Sequence, residues 1–162
     1  MLCQYIIFMK KGSSHNKAVE LINFSDLQET LPAGASPISA LVKDVGVVYA
    51  IAVTRDKCPA CIRRKPYFLG LAAEAKEKHK DRVAFLIVNS SPEKGPEAKD
   101  AFGTPYFPTY LMYVKNSNGK IEETYRRISA HLPDIRESLD ISLEAAEKYR
   151  PKACNTKTGT CS

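Results

Sequence analysis

The sequence is poor in residues that bind metal ions. It contains three histidines (His15, His79 and His131), scattered along the chain, and five cysteines among 162 residues. A structural zinc site needs four ligands, normally supplied as two closely spaced pairs. The one close pair, Cys58 and Cys61, supplies only half of such a site. We therefore expect no metal.

Long apolar runs are also missing. No run reaches the roughly 20 residues of a transmembrane helix, so we expect no membrane span. The apolar segment at residues 1–9 has no basic residue before it and no convincing small-residue cleavage site, which argues against a signal peptide. We expect a cytoplasmic protein, with an exported or lumenal location as the alternative if a leader has been processed away. The odd number of cysteines leaves at least one thiol unpaired and does not decide the compartment.

Neither charge nor composition indicates a nucleic-acid partner. The chain is 44% hydrophobic and 26% charged, with a formal net charge of +6. This is the composition of an ordinary globular domain. The lysines are interleaved with acidic residues, as in Glu74 to Lys78, and no aromatic-basic motif of an RNA-binding type occurs. A solvated surface is therefore expected.

Apolar runs and turn residues predict an α/β order of elements. Val45–Val53 and Val83–Val88 are nearly continuous apolar runs, typical of strands buried on both faces. The helical periodicity between them, at 62–80, predicts a crossover that makes these two strands parallel. Residues 38–43 fit either a helical turn or a loop. The other predicted elements are a strand (18–24), a short helix with Ser25 as N-cap and Gln28 completing a capping box, another short helix (97–102), an antiparallel hairpin (110–114 and 121–128) and a final helix (132–149).

One domain accounts for the length. We place it at residues 17–150, between an N-terminal extension (1–16) and a polar C-terminal tail (151–162). The tail contains Cys154 and Cys161, which could pair with each other or relay electrons to the other cysteine pair.

The stretch Cys58-Pro59-Ala60-Cys61 lies between the first buried strand and the helical segment. The first N–H groups of a helix lack partners within it, and the helix dipole places partial positive charge there. Both stabilise a thiolate at Cys58, and Lys57 adds positive charge. Pro59 suits the first helical turn, where its missing N–H costs nothing. We predict a redox pair in which Cys58 attacks and Cys61 resolves, with Lys57, Pro59 and Ala60 in support. Half of a zinc site and two inert cysteines are the alternatives.

Three features together resemble the thioredoxin-like superfamily over roughly Ala18 to Tyr149. The first is the Cys-x-x-Cys motif between a strand and a helix. The second is Pro66, which follows the second cysteine by five residues, where thioredoxins carry a helix-kinking proline. The third is Phe107-Pro108-Thr109 before the hairpin, which is similar to the cis-proline loop of the family. The resemblance implies a thioredoxin-like α/β fold with a central mixed sheet of four to five strands flanked by helices.

The resemblance also implies an activity and a substrate site. The activity is protein thiol–disulfide exchange in cell redox homeostasis, with a redox-active disulfide and no other cofactor. The implied partners are protein disulfides or dithiols and a reductase or oxidase. Phe107, Pro108 and Thr109 would bind substrate through a cis Phe107–Pro108 loop that offers the backbone of Phe107. Tyr106 could line the same groove, with simple loop packing as the alternative.

The chain departs from the typical thioredoxin pattern beside its cysteines. Lys57 stands where thioredoxins have an aromatic residue, and Pro-Ala replaces Gly-Pro between the cysteines. Ala52, six residues before Cys58, stands where thioredoxins place a buried carboxylate that moves the proton of the resolving thiol. Proton transfer at Cys61 must therefore use water, Asp56 or no dedicated group. Because fold alone does not give function, a non-enzymatic interaction or adaptor module is the alternative.

Overall fold

The structure is a computed structural model that describes residues 18–94 and 98–150. The predicted N-terminal extension and C-terminal tail lie outside these ranges. The strands are β1 (Val19–Asn23), β2 (Val48–Arg55), β3 (Val83–Ser90), β4 (Thr109–Lys115) and β5 (Ile121–Ile128). The helices are α1 (Phe24–Thr30), α2 (Pro37–Leu41), α3 (Pro59–His79), α4 (Ala98–Ala101) and α5 (Leu132–Glu147), with 3-10 turns at Lys80–Arg82 and Pro92–Lys94. None of these helices is both long and apolar enough to cross a bilayer.

The strands in the described ranges form one mixed five-stranded sheet in the order β1-β3-β2-β4-β5. β1 and β2 both pair with β3 in parallel, whereas β4 is antiparallel to β2 and β5 is antiparallel to β4. The predicted fold class is confirmed, including the parallel pairing of the two continuous apolar runs. Because β2 has neighbours on both sides, its carboxyl end opens at the middle of the sheet, where α3 begins.

Helices cover both faces of the sheet, so alternate residues of each central strand enter two different cores. Ala50 and Ala52 of β2 face one core and Tyr49 and Ile51 face the other. The first core is completed by α3 and α5 through Phe68, Leu71, Ala72, Ala75, Ile135, Leu139, Leu143 and Ala146. The second is completed by α1, α2 and α4 together with the segments that follow them, through Phe24, Leu41, Val42, Ala98 and Phe102.

The predicted start of α1 was wrong. Asn23, the last residue of β1, is the N-cap, and it makes no capping side-chain hydrogen bond. Phe24 is buried against the sheet, and the N-cap lies two residues upstream of the predicted one. Ser25 therefore lies within the helix, and its hydroxyl contacts Asp26 at 3.4 Å. Residues 38–43 fit either a helical turn or a loop in the sequence. The first four of them belong to helix α2, whose N-cap is Ser36.

Candidate functional site

Cys58 and Cys61 are joined by a disulfide at the start of α3, with their Cα atoms 5.2 Å apart. Cys58 is the N-cap residue, and Pro59 opens the helix. The Sγ atom of Cys58 accepts a hydrogen bond from the backbone N–H of Cys61 at 3.2 Å. Cys61 is only 6% exposed, whereas Cys58 is half-buried. An incoming group therefore reaches Cys58 first.

A hydrogen-bond network fixes the loop between β2 and the disulfide. The backbone N–H of Asp56 donates to the carbonyl of Ser90 at 2.9 Å. The Asp56 carboxylate accepts hydrogen bonds from the hydroxyl of Ser91 and from Nδ2 of Asn89, the latter at 2.6 Å. These hydrogen bonds hold the pKa of the Asp56 carboxyl below its ordinary value. Asp56 is therefore a poor acceptor for the proton of the resolving thiol.

Lys57, directly before the disulfide, has a left-handed backbone with φ of 58°. Such a conformation is uncommon for any residue except glycine. Its Nζ atom lies 2.8 Å from Oε1 of Glu93, with the side chains 84% and 79% exposed. An ion pair this exposed contributes little stability. It joins the loop before the disulfide to the 3-10 turn that follows β3.

A groove of about 860 Å³ runs past Cys58. The loop that carries the disulfide forms one wall, and residues 91–93 and 105–107 contribute to the rest. Tyr106, which is 67% exposed, offers an aromatic surface beside the sulfur. The groove brings together five of the predicted site residues: Lys57, Cys58, Pro59, Tyr106 and Phe107.

The Phe107–Pro108 peptide bond is cis. Pro108 is buried, and its carbonyl accepts a hydrogen bond from the N–H of Ser129 at 2.8 Å. Thr109 is 1% exposed, and its hydroxyl donates to the carbonyl of Tyr106 at 2.7 Å. The Pro108 carbonyl and the Thr109 hydroxyl thus hold the loop, and the side chains of both residues are buried. No hydrogen bond within 18–94 and 98–150 occupies the backbone of Phe107.

Ala60, predicted as a supporting residue, lies away from this groove. It lines a second groove of about 460 Å³ on another side of the disulfide. That groove is also lined by Arg63, Arg64, Tyr67 and Ser129. The Arg64 guanidinium lies 3.5 Å from Nδ1 of His131. Cys58 therefore borders one groove with aromatic and mixed charged residues, and Ala60, two residues further on, borders another with two arginines.

Arg126 of β5 is a site-supporting residue that the sequence analysis missed. Its Nη1 atom donates to the carbonyls of Phe102 and Gly103 at 2.9 and 3.1 Å, just before the loop that carries Tyr106. Its Nε and Nη2 atoms donate to the Glu123 carboxylate at 2.7 and 2.6 Å, and this pairing lowers the pKa of Glu123. The sequence pattern gives no signal for these contacts of Arg126, because they depend on how the hairpin packs against the segment that follows α4.

Both histidines within the described residues lie at helix ends. His79 ends α3, and His131 is the N-cap of α5; His15 lies outside the described residues. Within the described part of the chain, no three His, Cys, Asp or Glu side chains form a cluster that could hold a metal ion.

Comparison with solved structures shows that the fold is similar to that of thioredoxins. A Trichomonas vaginalis thioredoxin matches with a TM-score of 0.55 and 17% identity over 83% of this chain and 99% of its own. A Malassezia sympodialis thioredoxin matches with a TM-score of 0.53 and 14% identity over 77% and 90% of the two chains. Spinach chloroplast thioredoxin f matches with a TM-score of 0.53 and 17% identity over 76% and 85%. No protein-family model matches the chain, and no curated protein matches it in sequence.

The strand order and the disulfide at the start of α3 define an α/β protein with a Cys-x-x-Cys pair at the carboxyl end of a central strand. The solved structures show which fold this is. The chain has a thioredoxin-like fold with a Cys-x-x-Cys motif, as the sequence resemblance predicted.

Proposed function

We propose that this protein is a thiol–disulfide oxidoreductase that exchanges disulfides with protein substrates through Cys58 and Cys61. The observation that carries the proposal is the setting of Cys58. Its sulfur caps the first turn of α3, accepts the N–H of Cys61 at 3.2 Å and borders the groove that contains Tyr106 and Phe107. A hydrogen-bond donor and a helix N-terminus both favour the thiolate, which is the reactive form of cysteine.

In the reducing direction, the reaction passes through a mixed disulfide. The Cys58 thiolate attacks one sulfur of a client disulfide, and the other client sulfur leaves as a thiolate that takes a proton from water. Cys61 then loses its proton to water and attacks the Cys58 sulfur, which releases the first client sulfur as a thiolate. The client gains two electrons and the Cys58–Cys61 disulfide forms. The sulfur atoms carry all of the electrons, so the reaction requires no metal or organic cofactor.

The direction of net transfer depends on the redox partner, a reductase or an oxidase. Positive charges around the pair, including Lys57, Arg63 and Arg64, stabilise the reduced thiolate form. A stabilised reduced form makes a pair more oxidising, which favours a disulfide donor or isomerase over a reductant. The equilibrium potential of the couple, measured against a glutathione buffer, distinguishes these directions.

The client is proposed to bind as an extended segment across the groove. Tyr106, Phe107 and Pro59 supply apolar contacts beside the Cys58 sulfur. The backbone N–H and C=O of Phe107 can pair with the backbone of an added strand, as in other edge-on modes of peptide recognition.

Reduction of insulin by dithiothreitol, with the protein as catalyst, tests the activity. We expect the wild-type protein to accelerate insulin precipitation and Cys58→Ser to abolish the acceleration. Undiminished acceleration by Cys58→Ser would exclude Cys58 as the nucleophile. A folded wild-type protein that binds clients but accelerates nothing would point to the adaptor alternative.

A further inference from the structure

A second cavity, of about 380 Å³, lies at the start of α3 and adjoins the groove beside Cys58, with which it shares residues 55–57. Cys61 borders this cavity together with Ala52 of β2, Ile87 of β3, Phe68 of α3 and Tyr110 of β4. Cys58 is not among the residues that line it. The cavity therefore gives the inner thiol neighbours, such as Ala52, Phe68 and Tyr110, that do not line the groove beside Cys58.

The inner thiol needs help to ionise. Cys61 is 6% exposed, and burial in apolar surroundings raises the pKa of a thiol because it disfavours the charged form. Cys61 must nevertheless become a thiolate before it can attack the mixed disulfide. A hydrogen-bond donor close to its sulfur would offset the cost of burial.

Most polar groups on the cavity wall already have partners. Asn89 bonds to both Thr54 and Asp56, at 3.0 and 2.6 Å. Asn23 donates to Asp26 at 3.2 Å, Lys57 pairs with Glu93 at 2.8 Å, and Arg55 also has an interaction partner.

Two side chains on the wall remain, Lys65 and Tyr110. Lys65 is exposed on the surface of α3, where its ammonium group can be solvated. Tyr110 is only 4% exposed. Within the described ranges, no hydrogen bond is made by its hydroxyl group. The Tyr110 hydroxyl is therefore available to donate a hydrogen bond to a group at the cavity.

The sheet register puts Tyr110 beside the inner cysteine. Tyr110 pairs directly with Ala52 across β2 and β4, and both side chains face the core that α3 covers. Alanine leaves room on this face, and the Tyr110 ring packs against Phe68 with ring centroids 5.6 Å apart. Phe68 lies two helical turns after Cys61 on the same buried face of α3.

We propose that the Tyr110 hydroxyl donates a hydrogen bond to the Cys61 thiolate, directly or through one water molecule, and so promotes the resolving step. This inference rests on the proposed disulfide exchange and assigns a further residue to it. Burial raises the pKa of Tyr110 to about 12, so the phenol stays protonated at neutral pH and acts as a donor rather than as a base. The Cys61 proton goes to water, and the Cys61 sulfur then attacks Cys58 as the client thiolate leaves.

Tyr110→Phe removes the donor and keeps the shape of the ring. In a Cys58→Ser background, a pH titration followed by the ¹³Cβ chemical shift of Cys61 measures its ionisation without any client. We expect Tyr110→Phe to raise the pKa of Cys61 and lower its thiolate fraction about tenfold at neutral pH, the effect of losing one hydrogen bond to a charged group. A thiol of higher pKa is also more nucleophilic once ionised, so the resolving step should slow by only about threefold.

Tyr113→Phe is the matched control. It deletes the same atom from the same strand, but Tyr113 faces the other core and donates to Glu123 at 3.0 Å. The proposal predicts an unchanged Cys61 titration in Tyr113→Phe, and likewise in Lys65→Met. An unchanged titration in Tyr110→Phe, or a raised pKa of Cys61 in Lys65→Met alone, would overturn it. Inactivity of the wild-type protein towards insulin would instead count against the proposed function, since the titration needs no client.

Discussion

At the scale of single residues, the chemistry depends on one sulfur atom with a backbone donor aimed at it. The Cys61 N–H lies 3.2 Å from the Cys58 Sγ, and in the reduced protein the same N–H is available to a Cys58 thiolate. Lys57 precedes that sulfur directly, and the acidic residue before it, Asp56, is already held by Asn89 and Ser91. The Cys61 N–H and the N-terminus of α3 therefore both favour negative charge on the Cys58 sulfur.

We accordingly predict that the pKa of Cys58 in the reduced protein lies below that of a free thiol, ordinarily about 8.5. Because the thiolate is the form that alkylates, the iodoacetamide reaction of Cys58 should reach half its maximal rate at a lower pH than that of glutathione. Peptide mapping by mass spectrometry assigns the modified cysteine. Equal pH profiles for Cys58 and glutathione would contradict the prediction.

The sequence was sufficient to predict the residues at the disulfide, but not those whose role depends on distant contacts. Cys58, Pro59 and Cys61 are adjacent in the chain, so the spacing and the helix start define their arrangement. Thr109 was predicted to bind substrate, yet it is buried as the first residue of β4. The sequence placed Tyr110 only at the start of the predicted hairpin, since its place on the wall of the cavity that Cys61 borders depends on the register of β4 against β2.

At the scale of elements, the strands were easier to predict than the helix ends. Continuous apolar runs predicted both β2 and β3 because both faces of these strands are covered, although β2 begins three residues after the start of the predicted run. Helix starts depend on a single residue, and a buried side chain can outweigh a capping pattern. In α1 the burial of Phe24 outweighed the Ser25 capping box.

The junction between α5 and β2 depends on a glycine. Gly46 has φ of +69°, and a Cβ atom there would lie 2.9 Å from Cγ of Arg150 and 3.1 Å from its backbone N and Cα atoms. Gly46→Ala should lower the free energy of unfolding by about 2–4 kcal/mol, from the left-handed backbone and the close contact together. Urea denaturation measures this loss.

Gly34→Ala is the control for the backbone contribution alone. Gly34 has φ of +79°, but nothing lies within 4 Å of an added Cβ atom. We expect a loss of only about 1–2 kcal/mol, the cost of the left-handed conformation. Equal losses for the two variants would mean that the contact with Arg150 has no energetic weight.

At the scale of the whole molecule, positive charge is concentrated near the disulfide. The first half of α3 contributes Arg63, Arg64 and Lys65, and the first acidic residue of this helix is Glu74. Charge around a reactive site changes association rates through the long-range field, and salt screens this effect. A client with acidic residues beside its disulfide should therefore react faster than a neutral one.

Charge-reversal variants distinguish the effect of positive charge near the disulfide from the effect of the net charge of the protein. Arg63→Glu/Arg64→Glu should lower the rate ratio between an acidic and a neutral peptide disulfide several-fold at low salt. Lys76→Glu/Lys78→Glu makes the same change in net charge at the far end of the same helix and should leave the ratio nearly unchanged. The ratio cancels any change in thiol reactivity. Equal ratios in the two double variants would show that local charge does not select clients.

The central claim is that Cys58 forms the bond to the client and Cys61 breaks it. Trapping tests this most directly: reduced Cys61→Ser is mixed with a disulfide-bonded client, and the covalent adduct is mapped by mass spectrometry. We predict an adduct joined through Cys58 that persists until dithiothreitol is added, whereas the wild-type protein resolves it. An adduct through any other cysteine, or no adduct in a variant that is folded, would contradict the account.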